Sequence, residues 1–324
     1  MAFSQGSRSS LSFLAESTFG TTPSGNFQNL PFTTHSINLS KDRVEGTDIQ
    51  SDRMVQVDRH GNRIVGGEIA ADLRHAKFDT LMQSALLSDN SFNTGFSSGD
   101  GTTVANAAIA GTTPGFFSLE DYAADIDQAR LFSGCTVDTM SVSIAPNQMV
   151  STTFGIVGKD VSISQTQKTQ TASAGNAPYD SYSGSIKLGN VGSLGSALSL
   201  ITAVDFTITN NYAPTLVIGS SSAAALEYGM ISVEGTLSAY FEDATMLNRF
   251  INETESALEV TVGDGTNTLT FLFPRIKINS ADVGVDNPQS RIVNMAFVAL
   301  KDVSDLSGSA TDANTVIKIL KSGA

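Results

Sequence analysis

Val65 to Phe78 reads V-G-G-E-I-A-A-D-L-R-H-A-K-F, and Val233 to Met246 reads V-E-G-T-L-S-A-Y-F-E-D-A-T-M. The second stretch follows the first by 168 positions. Val65, Gly67, Ala71 and Ala76 recur as Val233, Gly235, Ala239 and Ala244, while Ile69, Leu73 and Phe78 meet Leu237, Phe241 and Met246. In both stretches apolar residues fall at every second position and then change to helical spacing. This is the pattern of a strand running into a helix, and it occurs twice. It predicts a tandem duplication.

The repetition extends outward in order. Upstream, the alternating run Ser36–Ser40 resembles Asp205–Thr209. Downstream, Leu131–Val137 resembles Leu272–Ile278, and both copies close on Lys-Asp, at 159–160 and 301–302. The first copy carries about 27 extra residues between its helix and its next strand. Phe78, Leu81, Met82, Ala85 and Leu86 define one apolar face of a helix expected over 74–87. In the second copy Asp243 is a candidate N-cap for a helix over 244–256, with Leu247, Phe250, Ile251 and Thr254 facing inward.

Strands are expected near 33–41, 135–144, 149–158, 275–281 and 290–300, with turns at Ala145–Gln148 and Asp286–Gln289. Residues 42–60 and 212–228 are matching excursions, the first a candidate hairpin, and His60–Arg63 reads as a turn. Asp264-Gly265 between alternating runs signals a hairpin. Residues 88–118 read as a surface insertion with apolar tips. The expected organisation is an N-terminal arm (1–31), a β domain (32–160), a linker with a strand-like start (161–201), a second β domain (202–302) and a tail (303–324). The tail ends in V-I-K-I-L-K, a candidate strand for a neighbour's edge.

The chain's 324 residues suit two domains, and its formal charge is −13. Residues 32–160 and 202–302 each carry −7, so the acidity lies equally in the two copies. Such domains do not grip phosphate, and this disfavours nucleic-acid binding. The lone Cys135 permits no intramolecular disulfide. No apolar run approaches the length of a membrane span, and the N-terminus lacks the apolar core of a signal peptide.

No catalytic, cofactor or metal site is expected. His35, His60 and His75 lack metal-ligand spacing, and Cys135 has no CxxC partner and reads as a buried small hydrophobe. Gly155–Asp160 lacks the spacing of a phosphate loop and reads as a strand end. Glu120, Asp121, Asp125 and Asp127 lack the calcium-loop pattern and read as a solvated face or as ion-pair partners of Arg130.

Three blocks then carry a resemblance: Glu16-Ser-Thr-Phe-Gly20-Thr-Thr-Pro23, the strand and helix beginning at Ile64–Leu73, and Pro274 through Lys301. Together they resemble the major tail tube proteins of tailed bacteriophages, in the two-domain siphovirus form. The resemblance implies a mainly β (α+β) fold of two tandem domains, each with two packed antiparallel sheets and one flanking helix. It also implies a non-enzymatic virion protein that needs no cofactor, assembles in the host cytoplasm and polymerises with itself into stacked rings. Three duplicated chains would close a pseudo-sixfold ring. Further implied partners are the tail tip or initiator, the tape measure and the tail terminator, with DNA passing through an acidic lumen without specific binding. The arm, the tail and the loops 42–60 and 88–118 would join successive rings. Two alternatives share this composition: a two-domain β adhesin or virion decoration module, and a β-rich hydrolase.

Overall fold

The quoted stretches do form strands that lead into helices. The computed structural model describes residues 3–48, 54, 57–88, 96–97, 103–104, 107–171, 177–285, 290–302 and 315–322. After a 3₁₀ turn at Gly6–Arg8 come β1 (Ser9–Ala15), β2 (Phe27–Leu30), β3 (Thr34–His35), β4 (Asn38–Glu45), β5 (Asp58–Asp72) and α1 (Asp79–Leu86). Next are β6 (Phe96–Ser97), β7 (Thr103–Val104), β8 (Ala107–Ile109), β9 (Phe117–Ala123), β10 (Gln128–Ile144), β11 (Ser151–Gly158) and β12 (Asp160–Ser164). Then follow β13 (Gln170–Thr171), β14 (Asp180–Asn190), β15 (Ile201–Thr209), β16 (Ala213–Thr215), β17 (Ala225–Glu227) and β18 (Ser232–Tyr240). The chain closes with α2 (Thr245–Ile251), β19 (Ser256–Gly263), β20 (Thr268–Val283), β21 (Ile292–Ala299) and β22 (Lys318–Lys321).

The fold is mainly β, with large antiparallel sheets. One continuous path of ladders runs β4–β5–β11–β10–β15–β18–β21–β20. β10 changes neighbours along its length: Gln128–Ser133 lies between β9 and β12, and Thr139–Ser143 lies between β15 and β11. β20 does the same: Leu269–Leu272 lies between β19 and β22, and Ile276–Val283 pairs with β21. A strand that leaves one sheet for another at a bend lets two layers share a core. Among the described residues no series of these ladders returns to the strand it left.

Period-2 alternation aims one face of each strand inward. Val65, Ile69 and Ala71 of β5 are buried, as are Phe154 and Ile156 of β11, Val204, Phe206 and Ile208 of β15, and Met295 and Phe297 of β21. Phe78, Leu81, Met82, Ala85 and Leu86 all face this core, as the helical spacing predicts, and Phe78 stacks on Phe154 at 5.7 Å.

Several expectations are corrected. α1 starts at Asp79, because Arg74 bridges to Pro178 and residues 75–77 turn. α2 stops at Ile251, because Ser256 already pairs with Asn190 in the sheet. Ile251 is exposed, while Met246, Leu247 and Phe250 pack on the core. The N-cap of α2 is Ala244 and not Asp243, which lies one residue earlier and accepts the Thr245 N–H at 2.7 Å. His60–Arg63 is no turn but part of β5, and the described ends of the 42–60 stretch, residues 43–45 and 58–60, pair with each other. The stretch read as an arm contributes β1 and β2, with Leu11, Phe13, Phe27 and Leu30 buried. The stretch read as a linker contains the eleven-residue β14, paired with β19.

Within 88–118, β6 pairs with β7, but β8 joins the main sheet against β22. The late strand β22 pairs with β20 and β8 of its own chain, and this replaces the expected pairing with a neighbour. The hairpin at Asp264-Gly265 is present, with Gly263 opposite Thr268. The expected turn at Asp286–Gln289 lies outside the described residues.

Candidate functional site

The polar face of the continuous sheet follows from the same alternation. Positions between the buried apolar residues carry Glu68 on β5, Thr153 on β11, Ser141 and Ser143 on β10, Asp205 and Thr207 on β15, Glu234 and Thr236 on β18, and Asp282 on β20. Strands β10, β11, β15, β18, β20 and β21 surround an open depression of about 540 Å³ on this face. Its floor is small and hydroxylated, with Ser141 Oγ and Thr207 Oγ1 sharing a hydrogen bond of 2.9 Å. The only ionisable residues lining the depression are Asp205 and Glu234. Glu68, Asp205, Glu234 and Asp282 are exposed. The residues lining the depression present negative charge and offer no cation to phosphate.

The ends of the sheet path have their own geometry. Within the chain, β10 meets β15 with Thr139 opposite Thr209, Met140 opposite Ile208, Ser141 opposite Thr207 and Val142 opposite Phe206. The joint is locked beyond the strand end. Asn210 is buried and donates to the carbonyls of Ala85 and Val137, and the Tyr212 N–H donates to Asp138 at 2.8 Å. At the two ends of the path, β4 and residues 280–283 of β20 each have one strand partner among the described residues, β5 and β21 respectively. The Leu39 N–H is taken up by its neighbour's Asn38 Oδ1 at 3.0 Å. Such half-paired edges are templates for another strand.

A model of the phage tail tube protein family matches residues 6–299. The chain belongs to the phage tail tube family. It is a structural, non-enzymatic protein of the virion tail, as that family implies. Among curated proteins, none matches. No helix among the described residues of this tail tube protein is long and apolar enough to cross a membrane.

The Glu16–Pro23 block of the tail tube protein now has a physical role. Glu16 accepts the Gly20 N–H at 2.7 Å, the Ser118 hydroxyl at 2.6 Å and the Gly134 N–H at 2.9 Å. One carboxylate therefore ties the loop after β1 to β9 and to the irregular part of β10. Phe19 packs on Phe116 at 4.8 Å under the Lys159 ammonium.

The residues weighed for chemistry are scattered. His60 pairs across to Arg43, His75 Nδ1 lies 3.0 Å from the Tyr179 hydroxyl, and His35 Nε2 lies 3.6 Å from Asp121. Among the described residues no group of three His, Cys, Asp or Glu could hold a metal. Cys135 is fully buried, and burial pushes its thiol far above the usual range, so it is unreactive. Gly155–Gly158 ends β11, as expected of a strand end.

The acidic cluster divides. Glu120 is buried and accepts the Lys168 N–H at 2.7 Å, while Asp121 pairs with Arg130 at 2.5 Å. Burial raises the Asp121 pKa, but hydrogen bonds from His35 and Arg130 outweigh it, and the net value lies below 3.8. The folded carboxyl thus holds its proton less tightly than the unfolded one. Its stabilisation is present above the unfolded pKa and is lost as pH falls through the folded value. Acid titration of unfolding should show wild type losing more stability below about pH 4 than Asp121→Asn does. Parallel curves would refute this role.

Proposed function

We propose that the chain is a duplicated subunit of a siphovirus-type tail tube. Three copies close a pseudo-sixfold ring, and stacked rings enclose a lumen that conducts DNA during ejection. The observation that carries this reading is the recurrence of the ladders. The pairings β1–β9, β4–β5, β5–β11, β9–β10, β10–β11 and β10–β12 recur in order as β14–β19, β15–β18, β18–β21, β19–β20, β20–β21 and β20–β22. Each unit comprises its β domain, 32–160 or 202–302, together with the strand before it (β1 or β14) and the strand after it (β12 or β22). Joined head to tail, such units generate a closed ring when the rotation between them divides the circle.

The depression bearing Asp205 and Glu234 supplies the lumen wall. Negative charge there repels the DNA backbone and prevents the chain from gripping it. Assembly takes place in the host cytoplasm on a tail tip or initiator, along a tape measure and up to a terminator. Electron microscopy of concentrated protein tests the reading: stacked rings with a central hole and threefold symmetry support it. Discrete monomers, even with initiator added, overturn it.

The lumen assignment has its own test. Tubes of Asp205→Lys/Glu234→Lys should bind a short DNA duplex at least about tenfold more tightly than wild-type tubes at low salt, with the difference fading as salt rises. Equal binding would place the lumen on another face.

A further inference from the structure

The ring reading fixes that copies meet but not which residues meet. Resting on that reading, we propose that β4 of one copy pairs antiparallel with residues 280–283 of the next copy. Ser40 then lies opposite Ser280, Leu39 opposite Ala281, Asn38 opposite Asp282 and Ile37 opposite Val283.

The register comes from the joint already made inside the chain. On one side, Phe206 lies opposite Gly235 in the β15–β18 ladder. In the β4–β5 ladder Asn38 lies opposite Gly66, which puts Ile37 level with Gly67. Gly67 and Gly235 are the matched glycines of the two quoted stretches. Ile37, Asn38, Leu39 and Ser40 therefore stand where Phe206, Thr207, Ile208 and Thr209 stand.

On the other side, β10 and β20 carry the same irregularity. The β10–β11 register skips Asp138 between Val137 and Thr139, and the β20–β21 register skips Asn279 between Ile278 and Ser280. A one-residue bulge re-aims a strand and is a built feature of a sheet. Aligned on it, Ser280, Ala281, Asp282 and Val283 stand where Thr139, Met140, Ser141 and Val142 stand. Those four residues meet Thr209, Ile208, Thr207 and Phe206 inside the chain. Transferring that pairing gives the inter-copy register.

Burial agrees with the transfer. At the internal joint Met140, Val142 and Ile208 are buried. Their counterparts at the free edges, Ala281, Val283 and Leu39, are only half-buried. Val285, just past the β20 edge, is 72% exposed, whereas Ile144, the corresponding residue past Val142, is 6% exposed. A second copy seated on this edge covers what the internal joint already covers. It also places Asn38 beside Asp282, as Thr207 lies beside Ser141.

Residues directly opposite in an antiparallel pair have Cα atoms about 4.5–5.5 Å apart, within disulfide reach. The double variant Asn38→Cys/Asp282→Cys, assembled and mildly oxidised, should give covalent multimers that end at the trimer on a non-reducing gel. The two-residue-shifted pair Ser40→Cys/Asp282→Cys should not. Buried Cys135 does not compete. Wild-type hydrogen exchange supplies a readout without substitution: amides in 38–40 and 280–283 should slow on assembly. Unchanged exchange there in wild-type tubes, or cross-linking of the shifted double variant in place of the matched one, overturns the register and leaves the ring reading standing. Absence of tubes from wild type removes the ring reading itself.

Discussion

Phe206→Ala should lower the unfolding free energy by about 3–5 kcal/mol, one of the two largest single-residue effects expected here. Phe206 is 1% exposed and sits edge-on to two rings, Phe271 at 5.0 Å and Phe273 at 5.1 Å. Phe273 in turn meets Phe297 at 5.7 Å. Edge-to-face pairs add to the area term, and truncation leaves a cavity into which the packed strands around it cannot collapse. The position is also structural in a second sense. Phe206 lies opposite Val142 in the ladder joining β10 to β15, so its loss loosens that joint. Urea unfolding should show a lower midpoint with an unchanged slope, and Phe206→Leu should recover much of the loss. A loss under about 1 kcal/mol would mean that the aromatic cluster contributes little.

What was legible in the sequence was what local patterning controls. The face of α1 was readable because Phe78 through Leu86 repeat at helical spacing within one element. The closing strands β10, β11, β20 and β21 were readable because they alternate cleanly between turns. β14 was not, since Ser181 to Asn190 holds only Tyr182, Ile186 and Leu188 among polar and glycine residues. It is a strand because β19 lies beside it. The same pairing cut α2 short: Ser256 to Leu258 gain more as a ladder than as another helical turn, so tertiary context overrides propensity. His60 to Arg63 looked like a turn because it is polar and contains glycine, yet β4 pairs with it.

The polar face was legible residue by residue, but its depression was not. Alternation says that Asp205 and Glu234 point away from the core. Only the twist and curvature of six neighbouring strands bring them to one hollow. The ties made by half-buried Glu16 and buried Asn210 were likewise invisible, because each joins segments far apart in sequence.

The other large effect belongs to Gly67, the glycine that the paired stretches share. Gly67 has φ of 149°, a backbone conformation open to glycine and strained for any other residue. A Cβ there would lie 2.6 Å from the Ile37 Cα and 2.7 Å from the Ile37 nitrogen, and backbone cannot swing away as a side chain can. Gly67→Ala should therefore cost about 1–3 kcal/mol in backbone strain and about as much again in overpacking. Gly235, its counterpart, has ordinary backbone, but a Cβ would lie 2.5 Å from both the Asp205 carbonyl and the Phe297 ring. Gly235→Ala should thus cost only the overpacking part. The two variants also separate two consequences. Gly67→Ala pushes β4 off β5 at the level of Ile37, which displaces the outer edge on which a second copy is proposed to seat. It should impair tube formation at temperatures where the monomer remains folded. Gly235→Ala acts inside the chain and should reduce assembly only in step with stability. Thermal unfolding together with light scattering of assembly would compare them at matched fractions folded. Equal assembly at matched stability would mean that the β4 edge does not make the contact.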